Sequence, residues 1–274
     1  MDANSLSYSL ELVAGSGCIL NTEQRAALQT SLIILKKNYK FNRVLFWGKI
    51  LGLKEHYFIA QGRRADELKD TQHFYSFNCI DWFLIPTTTA EMITDVSKTA
   101  KGRFEGDPSF VYESRQQAER HDPSVEESTT KVTEETRLAV TVHHINEEAS
   151  VVPRGAFINS THGIVQINRS FGGLSYTQAG KLENFLHFSQ PKNLKKKSLW
   201  EMADLNPALD FLDPLSEDIP KGSWSLQFES ANKVCVIRSL LWLGLTFYHV
   251  PMTPLHGLIY IGYGTKNLDL PFML

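Results

Sequence analysis

From Gly222 to Leu274, apolar and aromatic side chains fall in short runs that predict three or four β-strands. Ser223-Trp224-Ser225-Leu226-Gln227-Phe228-Glu229 alternates polar and apolar, the signature of a strand with one face buried and one wet. Val234-Cys235-Val236-Ile237-Arg238-Ser239-Leu240-Leu241-Trp242 is apolar on both faces, so cover is expected on both sides. So much apolar surface, with no reactive constellation in it, suits a member of an assembly.

The N-terminal pattern is helical. Asn21 or Thr22 can cap a helix, with Gln24 placed to close a capping box on Asn21. Leu28, Leu32, Leu35 and Tyr39 then form one apolar stripe. Val44–Leu51 and Tyr57–Ala60 read as a hairpin, and Phe74–Ile80 as a third strand. Thr88-x-x-Glu91 predicts a capping box and a short helix to about Ser97. From Glu113 to Glu135 aliphatic residues thin out and Glu113, Arg115, Glu119, Arg120, Asp122, Glu126 and Glu127 crowd in, with Pro123 among them. Such a stretch buries too little to offset its ordering entropy, so a mobile charged loop is expected, with a short helix starting near Glu134.

Beyond it, Val151–Ile158 is expected to pair with Ile164–Asn168, with Pro153 pushing that strand to an edge. A helix is expected from Ser175 with Tyr176, Ala179, Leu182 and Leu186 on one face, followed by a turn-rich stretch from Asn206 to Asp218. The fold class is α+β: antiparallel hairpins with flanking helices and a charged mobile loop between them. The expected division is an N-terminal lobe over 1–112, the loop over 113–135 and a β-rich lobe over 136–274, the two lobes being separate or intertwined.

Composition narrows the function. A chain of 274 residues can bury roughly three quarters of its unfolded surface. Charged residues make up 21% and the net charge is -2, which gives no global pull toward nucleic acid or membrane. The polar start Met1-Asp2-Ala3-Asn4 and the lack of an apolar run of about 20 residues predict an intracellular protein. Cys18, Cys79 and Cys235 lie far apart and are expected as reduced thiols.

No phosphate loop or nucleophile elbow is present, and Gly15-x-Gly17 lacks its third glycine, with Leu20 in that place. Adjacent His143 and His144 diverge from any regular backbone and chelate poorly. His249 reads as a hydrogen-bonded strand histidine rather than a base. Glu105 and Asp107 read as a turn before Pro108 rather than an acid–base pair. Lys195-Lys196-Lys197 reads as a solvated face, with a microtubule or acidic protein as the sharper reading. Arg238 either lies with its head in water or anchors a carboxylate. The tryptophans Trp47, Trp82, Trp200, Trp224 and Trp242 are core residues by default and anchors if they reach an interface.

Phe46-Trp47-Gly48-Lys49-Ile50-Leu51-Gly52, Val152-Pro153-Arg154-Gly155-Ala156, Ile219–Trp224 and Arg238–His249 together resemble the radial spoke head proteins of motile cilia, as does the ending Lys266–Leu274. The resemblance spans essentially the whole chain and is loosest in the charged middle. Leu243 departs from it, standing where a proline is expected. The resemblance implies a non-catalytic structural subunit of the axonemal spoke head, in the cytoskeleton of cilia and flagella. It implies a role in spoke head assembly, central pair stability and motility. It implies other spoke head subunits as partners and the central pair apparatus indirectly, with a homodimer left open. It carries no cofactor, metal, nucleic acid, membrane or small-molecule substrate. Trp224, Arg238, Trp242, Phe247, Tyr248 and Tyr260 are the candidate interface residues. The competing readings are an enzyme with a site around Arg238 and His249, and a peptide-binding module that adds a strand near Pro153.

Overall fold

The computed structural model describes residues 1–17, 20–115 and 129–273. Helices α1 (Leu6–Leu12) and α2 (Thr22–Asn38) precede strands β1 (Arg43–Ile50), β2 (Tyr57–Arg63), β3 (Thr71–Ser76) and β4 (Phe83–Leu84). Next come α3 (Ala90–Thr99), β5 (Val111–Arg115), β6 (Thr129–Thr133) and α4 (Glu134–Ala149). Strands β7 (Val151–Pro153), β8 (Phe157–Asn159) and β9 (Val165–Ile167) lead to α5 (Tyr176–Ala179), β10 (Phe185–His187) and α6 (Leu199–Ala203). The chain closes with β11 (Trp224–Glu229), β12 (Val234–Ser239), β13 (Leu245–His249), β14 (His256–Gly262) and α7 (Leu270–Met273).

Eight strands form one sheet in the order β11-β12-β13-β14-β1-β2-β3-β4. Neighbours pair antiparallel except at the centre, where β1 runs parallel to β14. Strands from the two expected lobes therefore share a single sheet, four from each. The joint depends on Gly48, where β1 carries a bulge. A Cβ there would sit 2.0 Å from the Tyr260 carbonyl oxygen, so only glycine lets the two backbones meet.

Helices cover both faces. On one, Leu6 and Leu10 of α1 and Leu28, Leu32 and Leu35 of α2 pack on Val44, Phe46, Phe58, Phe74, Val234, Val236, Tyr248 and Ile259. On the other, Leu138, Ala139, Val142 and Ile145 of α4 pack on Trp47, Tyr57, Ile59, Cys235, Ile237, Phe247 and Tyr260. The doubly apolar pattern of β12 is thus met by cover on both sides.

Several local signals act as written. Asn21 and Gln24 form the capping box of α2. Others shift. Thr89, not Thr88, caps α3, and β3 begins and ends earlier than Phe74–Ile80. Val151–Ile158 is not one strand. It breaks at the Arg154–Gly155 turn, so β7 pairs with β10 while β8 pairs with β9. Buried Pro153 therefore faces Phe185 in a separate two-stranded ladder that lies against β14. The helix from Ser175 has its capping box with Gln178 but stops at Gly180, and Leu186 belongs to β10. The charged segment is also more ordered at its ends than expected. Its flanks pair from Val111↔Thr133 to Arg115↔Thr129, and α4 is a 16-residue core helix rather than a short one. Glu119, Arg120, Asp122, Pro123, Glu126 and Glu127 lie outside the described residues, as does Cys18. Cys79 and Cys235 are buried free thiols.

Candidate functional site

Five of the six candidate interface side chains are part of this chain's own core. Trp224, Trp242, Phe247, Tyr248 and Tyr260 are all buried. Most of their aromatic area is covered within the monomer. Arg238 stays partly exposed but is held by neighbours on β11: it donates to Gln227 Oε1 at 3.2 Å and to Glu229 Oε1. The carboxylate that it anchors belongs to this chain.

Arg238 and His249 do not converge. Arg238 stands opposite Thr246 and His249 opposite Cys235, which puts them on opposite faces of the sheet. His249 is fully buried, accepts from the Leu174 amide at 3.1 Å and donates to the Leu255 carbonyl at 3.1 Å. Burial pushes its pKa down to about 4, so it is a neutral structural histidine. His143 and His144 lie half-buried on α4 with ring centroids 6.0 Å apart. Among the described residues no cluster of His, Cys, Asp and Glu could hold a metal ion.

One cavity of about 520 Å³ is lined in part by a network of paired polar side chains. Trp47 Nε1 donates to Asn146 Oδ1 at 2.8 Å, which leaves the Asn146 amide nitrogen to donate to His73 Nε2 at 3.0 Å. Gln61 accepts Arg63 through Oε1 and likewise turns its amide nitrogen to His73 Nε2 at 3.0 Å. Two donors on one ring nitrogen fix His73 as the neutral Nδ1–H tautomer. Burial, with Arg63 and His143 nearby, pushes its pKa down to about 3. The network leaves His73 Nε2 no free lone pair with which to act as a base.

The turn at Glu105 and Asp107 is structural in a way that the sequence pattern did not reveal. The buried Glu134 carboxylate accepts the backbone amides of Glu105, Gly106 and Asp107 at 2.6–3.1 Å. It also accepts the Tyr57 hydroxyl at 2.7 Å and the Tyr112 hydroxyl at 2.5 Å. Burial alone would raise its pKa, but these donors outweigh burial and hold it below the ordinary range.

The candidate site is an apolar surface built around the C-terminal segment. Asn267 ties that segment down: its amide donates to the Leu241 carbonyl at 2.8 Å and its side chain to the Leu240 carbonyl at 3.1 Å. Two buried tryptophans fix the floor. Trp242 Nε1 donates to Glu148 at 2.9 Å, and Lys266 closes on the same carboxylate at 2.7 Å. Trp224 Nε1 donates to Asp218 at 2.6 Å, and His187 Nε2 meets that carboxylate at 2.8 Å. Trp224, Ile219, Leu241 and Leu270 line one cavity of about 230 Å³, which makes the Ile219 loop and α7 neighbours. Above this floor Ile219 is 90% exposed and Phe272 88%, with Leu268 and Met273 also exposed. Trp200 on α6 is 87% exposed. Monomers leave single apolar residues in water, but large ones grouped together make a candidate interaction surface.

A sequence model of the "Radial spokehead-like protein" family matches residues 2–158. The chain belongs to this family. It is 62% identical to the radial spoke head protein 9 homolog of Danio rerio, 49% to that of Homo sapiens and 51% to that of Xenopus tropicalis. Each alignment covers 100% of both chains. As a radial spoke head component, the chain is an axonemal, cytoskeletal protein of motile cilia and flagella.

The matched family segment holds β1–β4, α4 and the Glu134 turn, whereas the C-terminal surface lies beyond residue 158, in a region that the full-length alignments also cover. Leu243, where the resemblance led to an expected proline, is exposed beside Gly244. Gly244 itself has φ +104, and a Cβ on it would lie 2.0 Å from the Ile261 carbonyl, so the glycine enforces the bend there without a proline.

Proposed function

We propose that this chain is a non-catalytic structural subunit that docks other radial spoke head subunits through its C-terminal apolar surface. Through that docking it supports spoke head assembly, the stability of the central pair and the beating of cilia and sperm flagella. Ile219 and Phe272, almost wholly exposed on a floor pinned by Trp224 and Trp242, carry this reading. A rigid platform lowers the ordering cost of binding, and exposed aromatic anchors commonly contribute about 2 kcal/mol or more each. The family supplies the kind of partner; the paired polar groups of the 520 Å³ cavity favour a scaffold over an enzyme.

The test is co-purification with the other head subunits from cilia that express the Ile219→Ala/Phe272→Ala variant. Recovery should fall by more than about tenfold, as the loss of two anchors implies. The thermal midpoint should stay put, because neither side chain is in the core. Unchanged recovery would refute the docking role.

A further inference from the structure

The two ends of the eight-stranded sheet are protected very differently. At one end, β4 is two residues long and runs through Ile85 into Pro86. Short length and a proline are common ways to blunt an edge. At the other end, β11 spans six residues, Trp224-Ser225-Leu226-Gln227-Phe228-Glu229, with no proline, lysine or bulge. Its only substantial neighbour among the described elements is β12.

The ladder tells which backbone groups face out. The Ser223 carbonyl accepts the Leu240 amide, so it points toward β12. By strand alternation Ser225, Gln227 and Glu229 point the same way, and the amides and carbonyls of Trp224, Leu226 and Phe228 point outward. Among the described residues these outward groups have no backbone or side-chain partner outside the β11–β12 ladder. A regular row of free donors and acceptors is a template for another strand.

We infer that β11 pairs antiparallel with β11 of a second copy of this chain, continuing the sheet across a two-fold axis at Leu226. This does not rest on the docking reading above, since it concerns two copies of the chain alone. The edge is self-complementary in that register. A two-fold axis normal to the sheet keeps each face on its own side, so residues of like parity must meet. Trp224 then stands opposite Phe228 of the second copy, Leu226 opposite Leu226, and Phe228 opposite Trp224. All three outward residues of each copy find donors and acceptors. On the apolar face Leu226 and Phe228, only partly buried by the monomer, meet apolar side chains. On the other face Ser225 meets Gln227. No charge faces its own kind, because Glu229 falls opposite Ser223 and keeps its ion pair with Arg238.

The purified full-length chain is the material for the test. Sedimentation equilibrium should show a monomer–dimer equilibrium, and amide exchange at Leu226 and Phe228 should slow as concentration rises. Leu226→Pro removes an outward N–H that the β11–β12 ladder does not use, so it should stay folded by circular dichroism and lose dimerisation by more than tenfold. Leu226→Ala keeps the N–H and should retain most of the association. If Leu226→Pro does not fold, exchange in the wild-type chain decides alone. A wild-type chain that stays monomeric up to about 100 µM, where a weak micromolar interface would be filled, overturns the inference. So do dimers with fast exchange at both amides. A monomeric chain whose Leu226→Pro variant loses another head subunit would assign the edge to that subunit, and this too overturns the pairing of two copies.

Discussion

The edge at β4 and the edge at β11 belong to one sheet, yet only one of them is blunted. Beside β4 the chain places Pro86, and on the same half of the sheet the Glu134 carboxylate gathers three backbone amides and the tyrosines of β2 and β5 into a fixed corner. Beside β11 it leaves a regular six-residue strand, three of whose residues turn their backbone groups outward, and at its start the platform on which Ile219 and Phe272 stand free. The contrast teaches that stability and contact are divided along the sheet. The β4 side is locked from within, and the β11 side is left to be completed from outside.

Three changes separate these roles, in falling order of effect. Gly48→Val strikes the joint between the two sides, because its Cβ would collide with the Tyr260 carbonyl. A clash with backbone has no cheap escape, so a loss of about 4 kcal/mol or more is expected, seen as failure to melt cooperatively. A variant that melts within a few degrees of wild type would mean that the two sides are not rigidly joined. Glu134→Gln comes next. The amide cannot accept five donors, and about 2–3 kcal/mol should be lost in denaturant titration, the size of hydrogen bonds to a charged group. The effect should depend on pH. Glu134 titrates below its ordinary 4.5 when folded, so its contribution is full above pH 4.5 and lost as pH falls through the folded value; the variant should lack that part of the decline. Equal slopes below pH 4.5 in both proteins would sink this account. The smallest effect belongs to Phe83→Lys with Leu84→Lys at the blunted edge. Both side chains are exposed, so stability should shift by under about 0.5 kcal/mol, with association unchanged in sedimentation. A change in oligomeric state there would erase the distinction between the two edges.

Much of this fold was legible where the signal is local. The Asn21–Gln24 capping box, the β1–β2 hairpin and the alternation in β11 each depend on residues a few positions apart. Longer pairings were not. Nothing near Val151 tells that it will meet His187 rather than continue past Gly155 into one strand. The dense charge before Glu134 concealed a core helix, because glutamate is rarely buried unless it is fully hydrogen-bonded. The site was half legible. Aromatic density at Trp224, Trp242, Phe247, Tyr248 and Tyr260 correctly signals burial but cannot say against whose atoms. Phe272 and Ile219, the exposed residues, sit in segments too short or irregular to carry a periodic pattern.

The parallel seam between Gly48 and Tyr260 has a consequence for how the molecule is made. On the ribosome β1 emerges long before the strand that will lie beside it, so the nascent sheet must wait, unfinished, until nearly all of the chain is out. Contacts this distant in sequence form slowly and leave apolar edges open meanwhile. The segment 2–158 that the family model matches lacks β14; a chain cut short before β14 would leave the seam open on one side.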